Sequence, residues 1–428
     1  MGKKVLIVGG VAGGASVAAR VRRLDESAEI VMFERGPYVS FSNCCIPFHI
    51  SGDIEKSESL VLMTPPEFDK QYNIDARVYN EVVAINKEEK TVSVKNVQTG
   101  ETYEEAYDVL FLAPGANAVR PRSIAGIDSK HVFVMKTVPD VAALTAYTKA
   151  NEVKDVAVVG GGYIGLEVAE NLKMAGYNVS LIEAQDQIMA PLDYDMVQII
   201  NREIMKNGVD LILKDSVQAI GSDEVTLASG RTVKAQAVVM AIGVSPENAL
   251  AKQAGLELGV AGSIKVNHHY QTSNPHIYAV GDAIETTCFF TGQKTQLTLA
   301  GPAQRQARAA ADHVYGRTYL NTGVIGSSSV KMFGLNSANT GLNEKQCQAR
   351  GIAYDFAYII PKDKVSIMPG AENLFFKLIF AVPSGKILGA QAVGRGNVDK
   401  RIDVIATAIM LNANLEDLKE LELTYSPH

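Results

Sequence analysis

Two stretches of the sequence share one design, and together they decide the fold. Residues 5–34 read VLIVGGVAGGASVAARVRRLDESAEIVMFE, and residues 156–183 read VAVVGGGYIGLEVAENLKMAGYNVSLIE. In each stretch an apolar run leads into a glycine-rich turn, a helical segment and a second apolar run. This order predicts two βαβ units of the kind that binds a dinucleotide.

The bounds of the predicted elements follow from the apolar runs and the glycines. In the first unit they are strand 5–8, turn 9–14, helix 15–24 and strand 30–33. In the second unit they are strand 156–159, turn 160–165, helix 166–175 and strand 179–182. From about residue 323 the pattern changes to alternating strands followed by helices, which predicts a separate α+β domain.

The second glycine turn matches the dinucleotide fingerprint in full. Gly160, Gly162 and Gly165 allow, in that order, a tight turn, the approach of a pyrophosphate and close packing of helix on strand. Glu183 ends the next strand, where a carboxylate accepts hydrogen bonds from a ribose 2′-OH and repels a 2′-phosphate. Residues 184–187 offer no arginine for such a phosphate. We therefore expect NADH to be favoured over NADPH; a purely structural glycine turn is the alternative.

The first glycine turn is less regular. Gly9 and Gly14 fill the outer positions, but Val11 replaces the middle glycine and should crowd a pyrophosphate. Glu34 restores the ribose-binding carboxylate, and Gly281 and Asp282 follow a later apolar run, where a carboxylate would lie beside ribityl hydroxyls. These features predict FAD in the N-terminal part, although a Gly-Asp pair is equally common in ordinary turns.

A reactive cysteine is expected in residues 40–47, which read SFSNCCIP and follow Glu34 where the chain returns toward the flavin. No C-x-x-C or C-x-x-x-x-C pattern is present, and a disulfide between adjacent cysteines would be strained and labile. We predict one working thiol, Cys44, whose pKa is lowered by a helix N-terminus and the flavin, and which attacks a disulfide or persulfide sulfur. Two buried, inert cysteines are the alternative, and inertness is the expectation for Cys288 and Cys347.

The composition narrows the class of protein. At 428 residues the chain exceeds one hydrophobic core, so two or three domains are expected. A net charge of −6 argues against nucleic acid as a partner, and no apolar run reaches the length of a membrane span. Four cysteines are too few and too oddly spaced for a disulfide framework, which indicates a reducing compartment, so the expected location is cytoplasmic. No Cys/His cluster has the spacing of metal ligands, and we expect no metal site; His268 and His269 are expected on a surface turn.

Three motifs make the chain resemble a known family over nearly its whole length. The flavin turn reads VAGG at residues 11–14, the cysteine segment reads SFSNC at residues 40–44, and residues 394–403 read GRGNVDKRID. These motifs resemble the single-cysteine pyridine nucleotide-disulfide oxidoreductases, and among them the coenzyme A disulfide and coenzyme A persulfide reductases. The resemblance implies an FAD-dependent enzyme in which NAD(P)H reduces coenzyme A disulfide, coenzyme A persulfide or polysulfide, through a mixed disulfide between Cys44 and coenzyme A.

The resemblance also implies a fold class and an assembly. The fold would be α/β, with a discontinuous Rossmann-like FAD domain (residues 1–120 and 250–320) and a Rossmann-like NAD(P)H domain (residues 121–249). Residues 321–428 would form a C-terminal α+β dimerisation domain. The protein would then be a homodimer whose active site is shared across the interface, and Tyr425 would enter the partner's active site.

Most of the expected site residues come from the same resemblance. Asn43 would act beside Cys44, and Ser40 would line the approach to the thiol. The positions expected to bind coenzyme A phosphates are Ser16, Arg20 and Arg23 on one face of the first helix, with Gln304 and Arg305. A solvated arginine face is the alternative.

The resemblance assigns further positions to the two cofactors, beyond the glycines and carboxylates of the two turns. They are Ala12, Gly13, Arg35, Asn43, Val82, Ala113, Pro114, Gly115, Arg120, Tyr163, Ile164, Gly243 and Ala300.

The chain departs from the family at two places. The family's Tyr-Tyr-Pro-Gly aligns with residues 367–370, which read IMPG, so one active-site tyrosine is missing. Tyr425 would then serve as the sole proton donor, or the substrate would be a persulfide, which needs less help than a disulfide. The sequence also ends at residue 428, where relatives continue and some append a rhodanese domain, which indicates a truncated chain.

Two other functions fit the sequence less well. An NADH oxidase or peroxidase shares the fold, the flavin and the single cysteine, but those enzymes place a histidine where Ala12 stands. Without an imidazole beside the thiol, peroxide has no acid-base partner. A non-catalytic flavin redox sensor or electron carrier is the third possibility, although a pure binder would need neither a placed thiol nor a complete nicotinamide fingerprint.

Overall fold

The computed structural model describes residues 2–319, 321–424, 426 and 427. The predicted proton donor, Tyr425, therefore lies outside the described residues. The chain forms two compact units: the first comprises Met1–Ile46, Glu55–Ala118 and Val244–Val324, and the second comprises Pro47–Ile54, Val119–Gly243 and Ile325–His428. The division into three domains at residues 120, 249 and 320 stays a prediction.

The strands, in chain order, are β1 (Lys4–Val8), β2 (Glu29–Glu34), β3 (Asp75–Val78), β4 (Asn80–Asn86), β5 (Thr91–Asn96), β6 (Thr102–Ala106), β7 (Val109–Leu112), β8 (Ala116–Ala118), β9 (Val132–Val134), β10 (Asp155–Val159), β11 (Asn178–Ile182), β12 (Asp210–Ile212), β13 (Val217–Ile220), β14 (Glu224–Leu227), β15 (Thr232–Lys234), β16 (Ala237–Met240), β17 (Val244–Pro246), β18 (Ile277–Ala279), β19 (Thr286–Thr287), β20 (Lys294–Thr295), β21 (Ser328–Met332), β22 (Leu335–Gly341), β23 (Tyr354–Ile359), β24 (Phe375–Ala381) and β25 (Ile387–Gly394).

The α-helices are α1 (Ala12–Leu24), α2 (Phe48–Ser51), α3 (Pro65–Tyr72), α4 (Val138–Ala150), α5 (Tyr163–Met174), α6 (Tyr194–Lys206), α7 (Ala249–Gln253), α8 (Ala300–Val314), α9 (Glu344–Ala349), α10 (Val398–Met410) and α11 (Leu415–Lys419).

The first unit is built on a parallel five-stranded sheet in the order β18-β7-β1-β2-β3. Strand β1 is central, and Val5, Leu6 and Ile7 are fully buried. Burial of successive residues is typical of a parallel strand covered on both faces, which explains the unbroken apolar run in the sequence. Helix α1 connects β1 to its parallel neighbour β2 and packs against α8. A three-stranded antiparallel sheet, β4-β5-β6, belongs to the same unit.

The second unit repeats this design. Its parallel sheet has the order β12-β11-β10-β16-β9, and α5 connects β10 to its parallel neighbour β11. The residues of β10 from Val156 to Val159 are buried, again as one apolar run. A small antiparallel sheet, β13-β14-β15, accompanies it.

The C-terminal part of the second unit contains an antiparallel sheet in the order β21-β22-β25-β24-β23. Strand β25 is buried along its whole length, and α10 packs against β25 and β22. Strand β23 lies at the edge of the sheet, and most of its residues are exposed. Two Rossmann-like sheets and one C-terminal α+β sheet confirm the predicted fold class.

Both helices that follow the glycine turns begin earlier than the sequence predicts. Helix α1 begins at Ala12 instead of 15, and α5 begins at Tyr163 instead of 166. The reason is that the last glycine of each motif belongs to the first helical turn, where it packs against the start of the glycine turn. A Cβ atom on Gly14 would lie 1.8 Å from the Gly9 carbonyl oxygen, and one on Gly165 would lie 1.9 Å from the Gly160 carbonyl oxygen.

Candidate active site and nucleotide-binding sites

The first glycine turn lies where three adjacent parallel strands end. Gly9 has a φ of 93°, and a Cβ atom there would lie 2.1 Å from the Ala113 carbonyl oxygen, just beyond β7. A Cβ atom on Gly13 would lie 3.2 Å from the side chain of Val280, just beyond β18. The structure therefore brings Ala113 and the Gly281 turn to the glycine turn, as the sequence predicts. Val11 has a φ of −102°, so this position does not adopt the left-handed conformation that would require glycine.

The glycines of the second turn have different surroundings: Gly160 is crowded by protein atoms, and Gly162 faces open space. Gly160 has a φ of 109°, and a Cβ atom there would lie 2.4 Å from the Ala241 carbonyl oxygen. At Gly162, by contrast, a Cβ atom would meet no protein atom within 4 Å. This is the glycine whose side-chain space a pyrophosphate would use. The following helix α5 has no acidic residue in its first turn, so its N-terminus suits an anion.

The two carboxylates expected to bind ribose occupy matching positions. Glu34 accepts the Gly10 N–H at 3.1 Å and the Gly36 N–H at 2.8 Å, one on each oxygen. Glu183 accepts the Gly161 N–H at 2.7 Å and the Gln185 N–H at 2.8 Å in the same way. Each carboxylate is thereby fixed at the end of its strand and braced against its own glycine turn.

The cysteine segment is attached to the first glycine turn by backbone hydrogen bonds. The Ser40 N–H donates to the Gly10 carbonyl oxygen at 2.8 Å, and the Ser42 N–H donates to the Leu60 carbonyl oxygen at 2.9 Å. Ser40 has a φ of 49°, a left-handed conformation that costs a non-glycine residue about 1–2 kcal/mol. This turn directs the chain into a 3₁₀ turn, Asn43–Cys45, in which no residue is buried.

The four cysteines fall into two groups. Cys44 is exposed and Cys45 is partly buried, whereas Cys288 and Cys347 are buried. Burial, together with the nearby Asp193 carboxylate, raises the pKa of the Cys347 thiol to about 11, so it stays protonated at neutral pH. The prediction that Cys288 and Cys347 are core residues is confirmed.

On the basic face of α1, one of the three predicted phosphate-binding residues already has an ionic partner within the protein. The Arg20 guanidinium forms an ion pair with Asp312 of α8, with Nη2 at 2.6 Å from Oδ1. Its charge is thus already neutralised within the protein, because α1 and α8 pack together. Ser16 is half-buried and Arg23 is exposed. Arg22, by contrast, donates to the carbonyl oxygens of residues 25, 26, 72 and 73 and so serves the fold.

Helix α8 supplies a residue that the sequence does not reveal. Gln306 is 2% exposed, and its Oε1 accepts the N–H of Gly281 at 2.8 Å. It thereby fixes the turn that carries Asp282. Of the two predicted positions on this helix, Gln304 is exposed, and Arg305 donates to the Gly323 carbonyl oxygen at 3.1 Å. Nothing in the local sequence marks Gln306, because its partner lies 25 residues away.

The other predicted cofactor positions have varied surroundings. Arg35, just beyond β2, lies 3.5 Å from Glu247 and 3.8 Å from Glu81. Arg120 donates to the Ile127 carbonyl oxygen at 2.6 Å. The remaining positions are Val82, which is buried; Ala12, which begins α1; Ala300, which begins α8; Pro114, which is half-buried; Gly115 and Gly243, which have positive φ; and Ile164, which is exposed.

Tyr163 serves the packing of the second unit. Its hydroxyl is hydrogen-bonded to the Ser328 hydroxyl and donates to Asn339 Oδ1 at 3.0 Å. Both partners belong to the C-terminal antiparallel sheet, on β21 and β22. The phenol that the sequence assigns to the nicotinamide cofactor is therefore positioned by that sheet.

Two glutamates on α5 were not predicted. Burial, with the neighbouring Glu170 carboxylate, raises the pKa of Glu167 to about 7. Glu170 is 1% exposed, and its Oε1 accepts the Phe333 N–H at 2.7 Å. Burial raises the pKa of Glu170 as well. Their spacing of three residues on a helix is the only signal in the sequence, and it is indistinguishable from that of an exposed helix face.

A second unpredicted cluster surrounds Lys377. Its ammonium lies 3.2 Å from Asp193, 3.0 Å from Asp195 and in contact with Glu344, and it also lies over the ring of Phe356 at 4.5 Å. These three carboxylates have the spacing of metal ligands. The lysine, which is 1% exposed, already supplies the cation. Burial lowers the pKa of Lys377, but hydrogen bonds to Glu344 and Asp195 outweigh it, and the net pKa is raised.

In the part of the chain that the structure describes, no helix has the length and apolarity needed to cross a membrane. His268 and His269 lie on a turn, as expected, and the His269 ring stacks on His313 with centroids 4.1 Å apart.

The two glycine turns, each with its carboxylate, define a protein that binds two dinucleotides, and a segment hydrogen-bonded to the first turn carries the exposed thiol of Cys44. The family described as pyridine nucleotide-disulphide oxidoreductase matches residues 3–307, and the dimerisation domain of that family matches residues 327–428. The chain belongs to the pyridine nucleotide-disulphide oxidoreductases.

Curated relatives of full length carry a more specific name. The coenzyme A disulfide reductase of Staphylococcus epidermidis is 35% identical over 425 residues, which are 99% of this chain and 96% of that protein. The coenzyme A disulfide reductase of Staphylococcus aureus is 34% identical over the same length.

Solved structures show the same likeness. Reduced CoADR-RHD of Bacillus anthracis has a TM-score of 0.98 and 48% identity, and the match covers 100% of this chain and 77% of that one. An NAD-dependent persulfide reductase from A. fulgidus has a TM-score of 0.95 and 32% identity, covering 99% and 80%. A water-forming NADH oxidase from Lactobacillus brevis has a TM-score of 0.93 and 25% identity, covering 99% and 94%.

These comparisons confirm the resemblance that the motifs indicate. The chain is an enzyme of the NAD(P)H-dependent flavoprotein disulfide and persulfide reductases. A purely non-catalytic sensor is therefore not supported.

Proposed function

We propose that this protein uses NADH, through FAD, to reduce coenzyme A disulfide or coenzyme A persulfide, with Cys44 as the nucleophile. The observation that carries the proposal is the exposed Cys44 on a segment hydrogen-bonded to the first glycine turn, Ser40 N–H to Gly10 carbonyl at 2.8 Å. Relatives named for coenzyme A disulfide reduction at 34–35% identity, and a persulfide reductase structure at 32%, support the substrate class.

The residues of each unit fit one cofactor. FAD would be held by the turn from Gly9 to Gly14, by Glu34 on a ribose and by Asp282 after β18. NADH would be held by the second turn, where Gly162 leaves open space, and by Glu183 on its ribose. The flavin would accept a hydride from NADH and pass two electrons to a sulfur acceptor.

The sulfur chemistry itself would belong to Cys44. Its thiolate attacks one sulfur of coenzyme A disulfide, so that a new S–S bond forms, the old one breaks and one coenzyme A leaves as a thiolate that takes up a proton. With coenzyme A persulfide the same attack releases hydrosulfide. In both cases the mixed disulfide of Cys44 with coenzyme A needs two electrons and a proton to restore the thiolate and free coenzyme A.

The missing tyrosine favours the persulfide. Residues 367–370 read IMPG, and Met368, which stands in place of the family tyrosine, is half-buried and carries no proton-donating group. Hydrogen sulfide is a stronger acid than the thiol of coenzyme A. Hydrosulfide therefore leaves with less help from a proton donor than the coenzyme A thiolate does. We therefore expect a higher specificity constant for coenzyme A persulfide than for coenzyme A disulfide.

The test compares Cys44→Ser with the matched variant Cys45→Ser. In anaerobic titrations with NADH, the wild type and Cys45→Ser should develop a long-wavelength band from thiolate-to-flavin charge transfer, and Cys44→Ser should not. Turnover of coenzyme A disulfide and persulfide should be lost only in Cys44→Ser. Loss of the band in Cys45→Ser, with the band kept in Cys44→Ser, would refute the choice of nucleophile.

An NADH oxidase is the second candidate, because the oxidase from Lactobacillus brevis shares the fold over 99% of this chain. Against it stands Ala12 at the start of α1, where the oxidases carry a histidine. The same substrate panel decides between the two. Steady turnover with oxygen or peroxide that exceeds turnover with both coenzyme A substrates would favour the oxidase.

A further inference from the structure

Cys45 follows the reactive thiol directly, and the proposed reaction makes no use of it. We propose that Cys44 and Cys45 form a reversible disulfide when a hydroperoxide oxidises Cys44, and that Cys45 thereby protects the reactive sulfur from irreversible oxidation. This inference rests on the proposed function only in taking Cys44 as the reactive thiol.

Cys44 and Cys45 are not joined by a disulfide in the structure, and both lie in the 3₁₀ turn Asn43–Cys45. Successive residues of a 3₁₀ turn point about 120° apart around its axis, since the turn holds about three residues. Adjacent Cα atoms are also only about 3.8 Å apart, below the range of roughly 4.4–6.8 Å that disulfides usually span. The two side chains can therefore meet only after the turn Asn43–Cys45 opens. Because the peptide bond fixes the Cα spacing, the disulfide they form is strained and readily reduced.

No residue of this turn is buried, so opening it exposes no core side chain to water. Two backbone hydrogen bonds that close the turn are long: the Cys45 N–H lies 3.2 Å from the Ser42 carbonyl oxygen, and the Ile46 N–H lies 3.3 Å from the Asn43 carbonyl oxygen. Backbone hydrogen bonds of this kind are typically about 2.9–3.0 Å long. The turn is thus weakly held by its own backbone.

The segments on either side are firmly held by contrast. The Leu62 N–H donates to the Ser40 carbonyl oxygen at 2.7 Å, and the Ile46 side chain is 1% exposed. The rearrangement can therefore be confined to residues 43–45. The first glycine turn and the surroundings of the flavin would stay in place while the sulfurs pair.

The oxidation balances in two steps. The Cys44 thiolate attacks the hydroperoxide, an S–O bond forms as the O–O bond breaks, and the leaving alkoxide or hydroxide takes a proton from solvent. The Cys45 thiolate then attacks the sulfenic sulfur, the S–S bond forms as the S–O bond breaks, and hydroxide leaves as water after protonation. The two cysteines have together lost two electrons to the peroxide.

Small thiols reverse the change by exchange. A first thiolate attacks the Cys44 sulfur, forms a mixed disulfide and releases Cys45 as a thiolate. A second thiolate attacks the small-molecule sulfur of that mixed disulfide, releases Cys44 and leaves as a disulfide with the first. Without Cys45 the sulfenic acid would instead be oxidised further to sulfinic acid, which thiols do not reduce.

The test is the mass of one tryptic peptide. Residues 36–56 lie between the cleavage sites at Arg35 and Lys56 and contain both cysteines. Reduced, desalted holoenzyme and its Cys45→Ser variant are treated with hydrogen peroxide, alkylated and digested. We expect the wild-type peptide to lose two hydrogen atoms and to recover them with dithiothreitol. The Cys45→Ser peptide should gain two or three oxygen atoms that dithiothreitol does not remove.

Equal oxygen uptake by the two peptides would overturn the proposal, and so would a wild-type peptide whose loss of hydrogen dithiothreitol cannot reverse. Cys288→Ala, which removes a cysteine outside the peptide, should behave as the wild type. Turnover of coenzyme A disulfide is measured separately on Cys44→Ser. If that variant keeps its turnover, the proposed function fails, while the peptide masses still decide whether the two cysteines pair.

Discussion

At the scale of single residues, Glu34 and Glu183 show how one carboxylate can serve both the fold and a ligand. Each accepts the N–H of the second residue of its glycine turn, Gly10 or Gly161, and one further N–H beyond its strand. A carboxylate has about four acceptor positions, so each keeps room for a ribose hydroxyl. These two hydrogen bonds hold each carboxylate at the end of its strand before any nucleotide binds.

Replacing Glu183 by alanine is expected to lower the preference for NADH over NADPH by about tenfold to a hundredfold. Hydrogen bonds to a charged acceptor contribute roughly 1.5–3 kcal/mol, and about 1.4 kcal/mol corresponds to a factor of ten. The repulsion of a 2′-phosphate is lost as well. The measurement is the ratio of the two specificity constants, with Glu152→Ala, at an exposed glutamate of the same unit outside residues 183–187, as control. An unchanged ratio in Glu183→Ala would count against its placement on the ribose.

Glu167 predicts a pH dependence of stability. Its folded pKa of about 7 lies above the ordinary value of 4.5, so between these values the folded protein holds a proton that the unfolded chain has released. Stability should therefore fall as pH rises through this window, by an amount of order 1–3 kcal/mol. Glu167→Gln should make the fall smaller and leave the part that comes from Glu170, whose pKa is also raised, whereas the exposed Glu152→Gln should retain all of it. Denaturant unfolding of the holoenzyme from pH 4.5 to 7 measures this; equal slopes in wild type and Glu167→Gln would contradict it.

At the scale of elements, two glycines of the turn before α5 have different roles: Gly165 is needed for folding and Gly162 for binding NADH. Gly165→Ala should destabilise the protein by about 3 kcal/mol or more, since its Cβ atom would meet the Gly160 carbonyl oxygen at 1.9 Å. Gly162→Ala should leave the melting temperature nearly unchanged, because its Cβ atom would meet no protein atom within 4 Å. The KM for NADH should nevertheless rise at least about tenfold in Gly162→Ala, since the methyl group occupies the space of the pyrophosphate. Thermal unfolding and steady-state kinetics of both variants check this, and normal NADH kinetics in Gly162→Ala would speak against a nucleotide at this turn.

The elements also show which boundaries could be predicted. The apolar runs of β1 and β10 predict their strands. Both strands are buried on two faces, so their sequences are apolar without a break and can be identified from the sequence alone. The starts of α1 and α5 were misplaced by three residues each, since the sequence does not show that the last glycine already belongs to the helix. Glycine is a poor helix former on its own, and only its contact with the turn explains its place there.

At the scale of the whole molecule, the C-terminal sheet indicates how the chain assembles. A dimerisation domain of the family matches residues 327–428, and apolar side chains along and just beyond the edge strand β23 are exposed. Phe356 is 42% exposed, Ile359 is 54% exposed and Ile360 is 51% exposed. An apolar strand at an open sheet edge is typical of a surface that another chain covers.

We therefore expect a homodimer that Ile359→Lys weakens by at least about tenfold in its dissociation constant, since a buried ammonium costs more than 1.4 kcal/mol. Val97→Lys, at a valine of the first unit that is 42% exposed, should leave the dimer intact. Sedimentation velocity over a range of concentrations measures both. A dimer equally stable in the two variants would place the interface elsewhere.

The sequence alone determined the two βαβ units, the glycines that shape their turns, the carboxylates at the strand ends and the segment that carries Cys44. These features are local: a glycine's allowed φ, an apolar run and a strand end are properties of a few neighbouring residues. A family resemblance carried by short motifs extended them to a fold class and an enzyme class.

Only the tertiary structure decided which side chains meet. The ion pair of Arg20 with Asp312, the support of Gly281 by Gln306 and the cluster around Lys377 all join residues that lie far apart in the chain. Such partners depend on how helices and strands pack against each other. They cannot be predicted from the spacing of residues within one element. Burial likewise raised the pKa of Glu167, which reads in the sequence as an ordinary helix glutamate.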